Sequence, residues 1–224
     1  MRILITGATG TAGAAALRQA LANPRITAVT ALGRRAPKVT DPKLTALEHA
    51  DFTDYTALGD RLGGHDAVLW CLGTATARVS PADLHRITVD FVLAGARALL
   101  AANPGLRFVH LSGQGADPTG RSRLAFAREK GEAENGLDAL GLSALWHVRP
   151  GYIHPPAPVE KPLFQDKLMF AIAPLFRRVA PTMMIDADVL GRAMVALALD
   201  GHSERVLENR ALLALGAATD RPGA

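Results

Sequence analysis

Three glycines at three-residue intervals, Gly7, Gly10 and Gly13, separate the first apolar run of the chain, Arg2–Thr6, from its first helical stretch, Thr11–Asn23. A short run of this kind, entering a glycine turn and leaving as a helix, reads as a buried strand that feeds a crossover. The pattern then repeats. Apolar runs at Ile26–Leu32, Leu44–Glu48, Ala67–Cys71, Arg107–Leu111 and Leu142–Val148 alternate with helical stretches at Pro81–Asn103 and Ser122–Leu140. Pro81 suits the first turn of its helix, and Asn103-Pro104 closes it. Strands alternating with helices predict an α/β fold with a doubly wound parallel sheet. Near-continuous apolar strands fit a sheet covered on both faces.

After Pro150 the pattern changes. Prolines cluster at 155, 156, 158 and 162, two helical segments follow at roughly 163–178 and 186–199, and a short apolar run, Ala211–Leu215, precedes a tail of small and polar residues. The expectation is one domain over residues 1–224, carrying a small helical C-terminal lobe at 151–200 on the substrate side. The stretch 163–178 mixes Phe164, Leu168, Phe170 and Phe176 with Lys167, Arg177 and Arg178. It reads first as a lid or wall over a substrate, next as a buried or subunit-facing element, and last as an interfacial helix on anionic lipid.

The chain has 25 Lys and Arg against 21 Asp and Glu, a net charge of +4 that is spread along its length with no basic run. That distribution argues against nucleic acid as a partner. No apolar run reaches membrane-spanning length, so no integral membrane segment is expected. A single cysteine, Cys71, excludes an internal disulfide, and with no secretory signal the expected location is cytoplasmic. No metal site is expected. The expected partner is a small-molecule substrate, and self-association is left open.

The segment Gly7-Ala8-Thr9-Gly10-Thr11-Ala12-Gly13 has the context of a dinucleotide cradle. Backbone N–H groups and the helix N-terminus approach a pyrophosphate: Gly7 makes the turn, Gly10 permits close approach, and Gly13 lets helix lie on strand. A packing turn without ligand is the alternative. An NAD site places an acid at the end of the second strand, but no acid precedes Asp41, and this strand ends in Gly33-Arg34-Arg35. Two guanidinium groups suit a 2′-phosphate, so the expected cofactor is NADP(H). Asp51, beside Phe52, either accepts from the adenine amino group or caps a short following helix. Leu72-Gly73-Thr74 end the fourth strand where ligands sit in such sheets. Cys71 reads as a packing residue, since no basic partner is evident near it.

The fifth strand ends in His110-Leu111-Ser112-Gly113, the next helix carries Phe126-Ala127-Arg128-Glu129-Lys130-Gly131-Glu132, and the sixth strand delivers Arg149-Pro150-Gly151-Tyr152. With the GATGTAG loop, the GRR after strand two, CLGT, LSGQGAD, KGEAE, RPG and ENRALLALG, the chain resembles the atypical short-chain dehydrogenase/reductase family, and within it the Tat-interacting-protein group of oxidoreductases. The resemblance implies a Rossmann fold and roles for named residues. Ser112 bonds the reacting oxygen, Lys130 binds the nicotinamide ribose, and Pro150 and Gly151 pass the carboxamide. The family's acid/base tyrosine falls on Phe126. Phe126 and Lys130 share a helix face at a spacing of four, so the site keeps its scaffold without its proton donor. Tyr152, His110 and His154 are the candidate substitutes. The implied function is an NADP(H)-dependent oxidoreductase of a small carbonyl or alcohol; the alternative is a non-catalytic NADP(H)-binding redox-sensing or interaction protein.

Overall fold

The computed structural model describes residues 1–74, 76, 79–156 and 181–219. Seven strands form one sheet: β1 (Arg2–Thr6), β2 (Ala28–Gly33), β3 (Leu44–Glu48), β4 (Ala67–Trp70), β5 (Arg107–Leu111), β6 (Ala144–Arg149) and, in chain order after two shorter strands, β9 (Val206–Glu208). Their spatial order is β3-β2-β1-β4-β5-β6-β9, and every pairing is parallel. The two shorter strands, β7 (Tyr152–His154) and β8 (Met184–Asp186), pair with each other beside it. The order reverses between β1 and β4, and the carboxyl ends of those strands are where an open α/β sheet binds its ligand.

One face is covered by α1 (Thr11–Ala22), whose alanines give a low-volume surface, together with α5 (Ala187–Asp200) and α6 (Asn209–Ala218); these pack on Ile3, Ile5, Val29, Leu69, Val109 and Val148. The other face is covered by a 3₁₀ stretch (Thr56–Leu62), α3 (Phe91–Ala102) and α4 (Ala125–Asp138), packed on Leu4, Leu32, Val68, Trp70, Phe108 and Leu145. The alternation of strand residues between these two cores explains the continuous apolar runs. The result is the doubly wound sheet with C-terminal helices that the sequence predicts.

Several bounds differ. The helix predicted over Pro81–Asn103 divides into α2 (Pro81–His85), capped by Ser80, a π turn at Arg86–Asp90, and α3. The helix predicted to start at Ser122 starts at Ala125, because the Asp117 carboxylate takes the N–H of Ser122 (2.6 Å) and of Thr119 (2.9 Å) into a turn. The predicted helix at 186–199 is α5, and the apolar run Ala211–Leu215 lies inside α6. The segment 163–178 lies outside the described residues.

Candidate functional site

Gly7 sits at φ +65°, and a Cβ there would meet the Cys71 carbonyl oxygen at 2.6 Å. A Cβ on Gly13 would lie 2.2 Å from the Gly7 carbonyl oxygen. These two glycines let α1 leave β1 against β4. Gly10 is different: its Cβ would meet only the Gly7 carbonyl oxygen, at 3.4 Å, and a Cβ on Gly73 would meet nothing within 4 Å. The space above them is open. Gly10 is the N-cap of α1 and supplies no side-chain cap, Thr9 is exposed, and Thr11 and Ala12 begin the helix, so the first-turn amides face that opening without a side-chain acceptor. Thr6 Oγ1 accepts from the N–H groups of Cys71 (3.0 Å) and Leu72 (3.1 Å), which fixes the loop Leu72-Gly73-Thr74 beside the cradle. The donor set, the helix terminus and the open glycines fit a pyrophosphate.

Arg34 and Arg35 stand exposed directly after β2. Their turn is held by the Ala36 N–H donating to Glu48 (3.4 Å). The Asp51 carboxylate accepts from the Thr53 N–H (2.9 Å) and hydroxyl (2.6 Å), and these bonds hold it below the usual carboxylate range. Capping is therefore part of its role, but of a turn; the helical stretch starts at Thr56, whose N–H is taken by Asp54 (2.8 Å). The Phe52 ring is 1% exposed and packs into the core, so a cofactor contact at this position is left to its backbone.

The residues expected at the reacting end lie on α4 and in the loops after β5 and β6. Lys130 Nζ donates to the Leu111 carbonyl (2.8 Å), and burial brings its pKa down to about 8. One turn earlier on the same face, the Phe126 ring lies against Gly113, where a Cβ would come within 2.6 Å of Cζ. Ser112 Oγ donates to Glu134 Oε1 at 2.5 Å. Glu134, 2% exposed, also accepts Arg149 Nε at 2.9 Å and Arg149 Nη2, while Arg149 Nη1 reaches Glu208 at 3.1 Å. With its proton directed at Glu134, the Ser112 hydroxyl keeps its lone pairs as acceptors.

The three expected substitutes for the tyrosine stand differently. His110 is on the Ser112 face of β5 but is 1% exposed, and its Nδ1 meets Nδ1 of the equally buried His147 at 3.1 Å. Burial, with the nearby Lys130 charge, holds it neutral, so it is sealed below the site and withdrawn as a direct donor. His154 lies on β7 with Nδ1 3.4 Å from Asp186. Tyr152 begins β7, half-buried, one residue past Gly151. Cys71 differs from the sequence expectation in one respect. A basic neighbour exists, because the Lys130 charge acts on the thiol; burial still pushes the thiol up to about 12, so it stays protonated and is no nucleophile.

Two residues were not singled out by the sequence reading. Glu134 was quoted within KGEAE without a role; its spacing of four from Lys130 places it on the same helix face and was the available signal. Asn209, in ENRALLALG, is 1% exposed. Its Oδ1 accepts from the Gly151 N–H (2.8 Å), and its Nδ2 donates to the carbonyls of Thr182 (2.8 Å) and Met184 (3.1 Å). Pro150 in turn accepts from the Gln114 N–H (2.9 Å). The Pro150-Gly151 turn is thus tied on both sides.

A family model described as NAD(P)H-binding matches residues 7–167. Protein HTATIP2 of Rattus norvegicus is 29% identical over 232 residues, covering 98% of this chain and 91% of its own. Mitochondrial protein fmp52 of Aspergillus fumigatus is 30% identical over 212 residues, covering 89% and 88%. Among solved structures, MoeE5 in complex with UDP-glucose and NAD superposes with a TM-score of 0.67 at 17% identity, covering 98% of this chain and 82% of that one. A short chain dehydrogenase family protein from Francisella tularensis gives 0.66 at 14%, covering 92% and 95%. The chain belongs to the NAD(P)H-binding family. Within it, the chain is similar in sequence to HTATIP2 and fmp52, and its fold is that of the short chain dehydrogenase family protein. Among the described residues no helix is long and apolar enough to cross a membrane. The fungal relatives are named mitochondrial, so the cytoplasmic expectation is not carried further.

Proposed function

We propose that the protein is an NADP(H)-dependent oxidoreductase of small carbonyl or alcohol compounds, working without the family's tyrosine. The observation that carries the reading is the cradle at Gly7–Gly13, open at Gly10 and Gly73, with Arg34 and Arg35 exposed at the end of the neighbouring strand. Thr9, Gly10, Thr11 and Ala12 would face the pyrophosphate, and Leu72, Gly73 and Thr74 the adjoining ribose. Asp51 and the Phe52 backbone would face adenine, and Pro150 and Gly151 the nicotinamide. Bound NADPH supplies the hydride. In the alcohol-oxidation direction Ser112, its own proton held by Glu134, would accept from the substrate hydroxyl; in carbonyl reduction it would bond the substrate oxygen only by turning that proton from Glu134 to it. Lys130, with a pKa of about 8 and so charged at neutral pH, would bind the nicotinamide ribose and stabilise negative charge on the substrate oxygen. The proton is assigned to Tyr152, the ionisable side chain that follows the Pro150-Gly151 turn.

Calorimetry tests the cofactor. NADPH is expected to bind more tightly than NADH, and the double variant Arg34→Ala, Arg35→Ala to lose roughly tenfold or more of that preference, the worth of a charge-assisted bond of about 1.5–3 kcal/mol. No heat with either coenzyme, or an unchanged preference in the variant, overturns the reading.

A specific observation also favours a non-catalytic NADP(H)-binding protein: Phe126 occupies the place of the acid with its ring against Gly113. NADPH oxidation measured against aldehydes, ketones and quinones separates the two. Turnover in the wild type that is abolished by Tyr152→Phe supports the enzyme. A silent wild type that gains activity as Phe126→Tyr, by something approaching the 10²–10⁴ that a positioned acid contributes, supports the binder.

A further inference from the structure

We infer that Asn209 is a positioning residue for the nicotinamide half of the coenzyme, an inference that rests on the NADP(H) reading above. The chain leaves the main sheet at Gly151, runs through β7, and returns through Thr182 and β8. Asn209, at the start of α6, bonds backbone next to both strands: the Gly151 N–H just before β7, and the carbonyls of Thr182, in the 3₁₀ turn before β8, and of Met184, the first residue of β8. All its amide hydrogen-bonding groups are engaged, and it is 1% exposed.

No shorter or apolar side chain makes those three bonds. An aspartate would set a carboxylate against two carbonyl oxygens. The turn itself has no slack, since a Cβ on Gly151 would meet the Met183 carbonyl oxygen at 2.2 Å. The Gly151 N–H is spent on Asn209, so Asn209 acts through the backbone it holds and touches no coenzyme itself. Loosening it moves Pro150-Gly151 relative to Lys130 and Ser112 but leaves the Gly7–Gly13 cradle, which holds the pyrophosphate in the middle of the coenzyme, where it is.

The test compares two ligands on the full chain: NADPH, and 2′-phospho-ADP-ribose, which has the same adenine, phosphates and riboses but no nicotinamide. In Asn209→Ala, NADPH affinity is expected to fall about tenfold while affinity for the fragment changes less than twofold; Asn209→Ser, which removes less volume, shows the same split if the alanine variant does not fold. Parallel losses for both ligands mean a general structural role and overturn the proposal. So does unchanged NADPH affinity. If the wild type binds neither ligand, the coenzyme reading itself fails and this inference fails with it; a wild type that binds both, with no split in the variants, overturns this inference alone.

Discussion

Glu134→Ala is expected to destabilise the folded chain by about 3–5 kcal/mol, the usual cost of removing one partner of a buried ion pair. For a chain of this size that lowers Tm by on the order of 10 °C. The cost comes from what remains. Among the described residues Arg149 keeps only the exposed Glu208 for its charge, and the Ser112 hydroxyl, 5% exposed, loses its acceptor. Replacing the pair together, as Glu134→Leu with Arg149→Met, is expected to return most of the loss, because no unpaired charge is left buried. The pH dependence has a definite sign. Burial pushes the Glu134 carboxyl up, but the Arg149 and Ser112 hydrogen bonds outweigh it, so the net shift is below the ordinary 4.5. A depressed folded pKa gives stability that is present above pH 4.5 and is lost as pH falls through the folded value. Urea unfolding from pH 7 down to pH 3 is expected to show a component of acid destabilisation in the wild type that Glu134→Ala lacks. Equal pH slopes in the two proteins would remove Glu134 as its source.

That pair also marks how far the sequence could be read. The bounds of β1 and β5 were legible because buried parallel strands are mostly apolar, and the cradle was legible because Gly7 and Gly13 satisfy local backbone demands; β3, an edge strand with largely exposed residues, shows only as a weaker apolar run. Phe126 and Lys130 were legible as one helix face. What was not legible depends on contacts between distant residues. Glu134 meets Arg149 across fifteen positions and Asn209 meets Gly151 across fifty-eight. His110 looked like a neighbour of Ser112 by strand alternation, which was right about the face; only its contact with His147 shows that it is sealed beneath the site. The π turn at Arg86–Asp90 adds a residue to a helical turn inside a run whose periodicity alone reads as one helix. Strand β9 has three residues, too few for periodicity to detect.

The glycine cradle yields the sharpest contrast between folding and binding. Gly13→Ala places a Cβ 2.2 Å from the backbone oxygen of Gly7, so α1 has to move off the strand that it follows. Overpacking against backbone costs about 1–3 kcal/mol or more, and the displaced helix terminus no longer aims its amides at the phosphates. NADPH affinity is expected to fall at least about a hundredfold, roughly 3 kcal/mol, together with Tm. Gly10→Ala separates the two effects. Its backbone, at φ −91° and ψ 172°, is open to any residue, and its nearest protein atom would be 3.4 Å away. The free protein should therefore lose no more than about 1 kcal/mol, from a poorer N-cap. Yet the new methyl stands where the pyrophosphate approaches the loop, so NADPH affinity should drop tenfold or more at nearly unchanged Tm. Thermal melts and calorimetry on the two variants check both halves of the argument. If Gly10→Ala binds NADPH as the wild type does, the phosphates do not cross Gly10, and the glycines serve only to pack a helix against a strand.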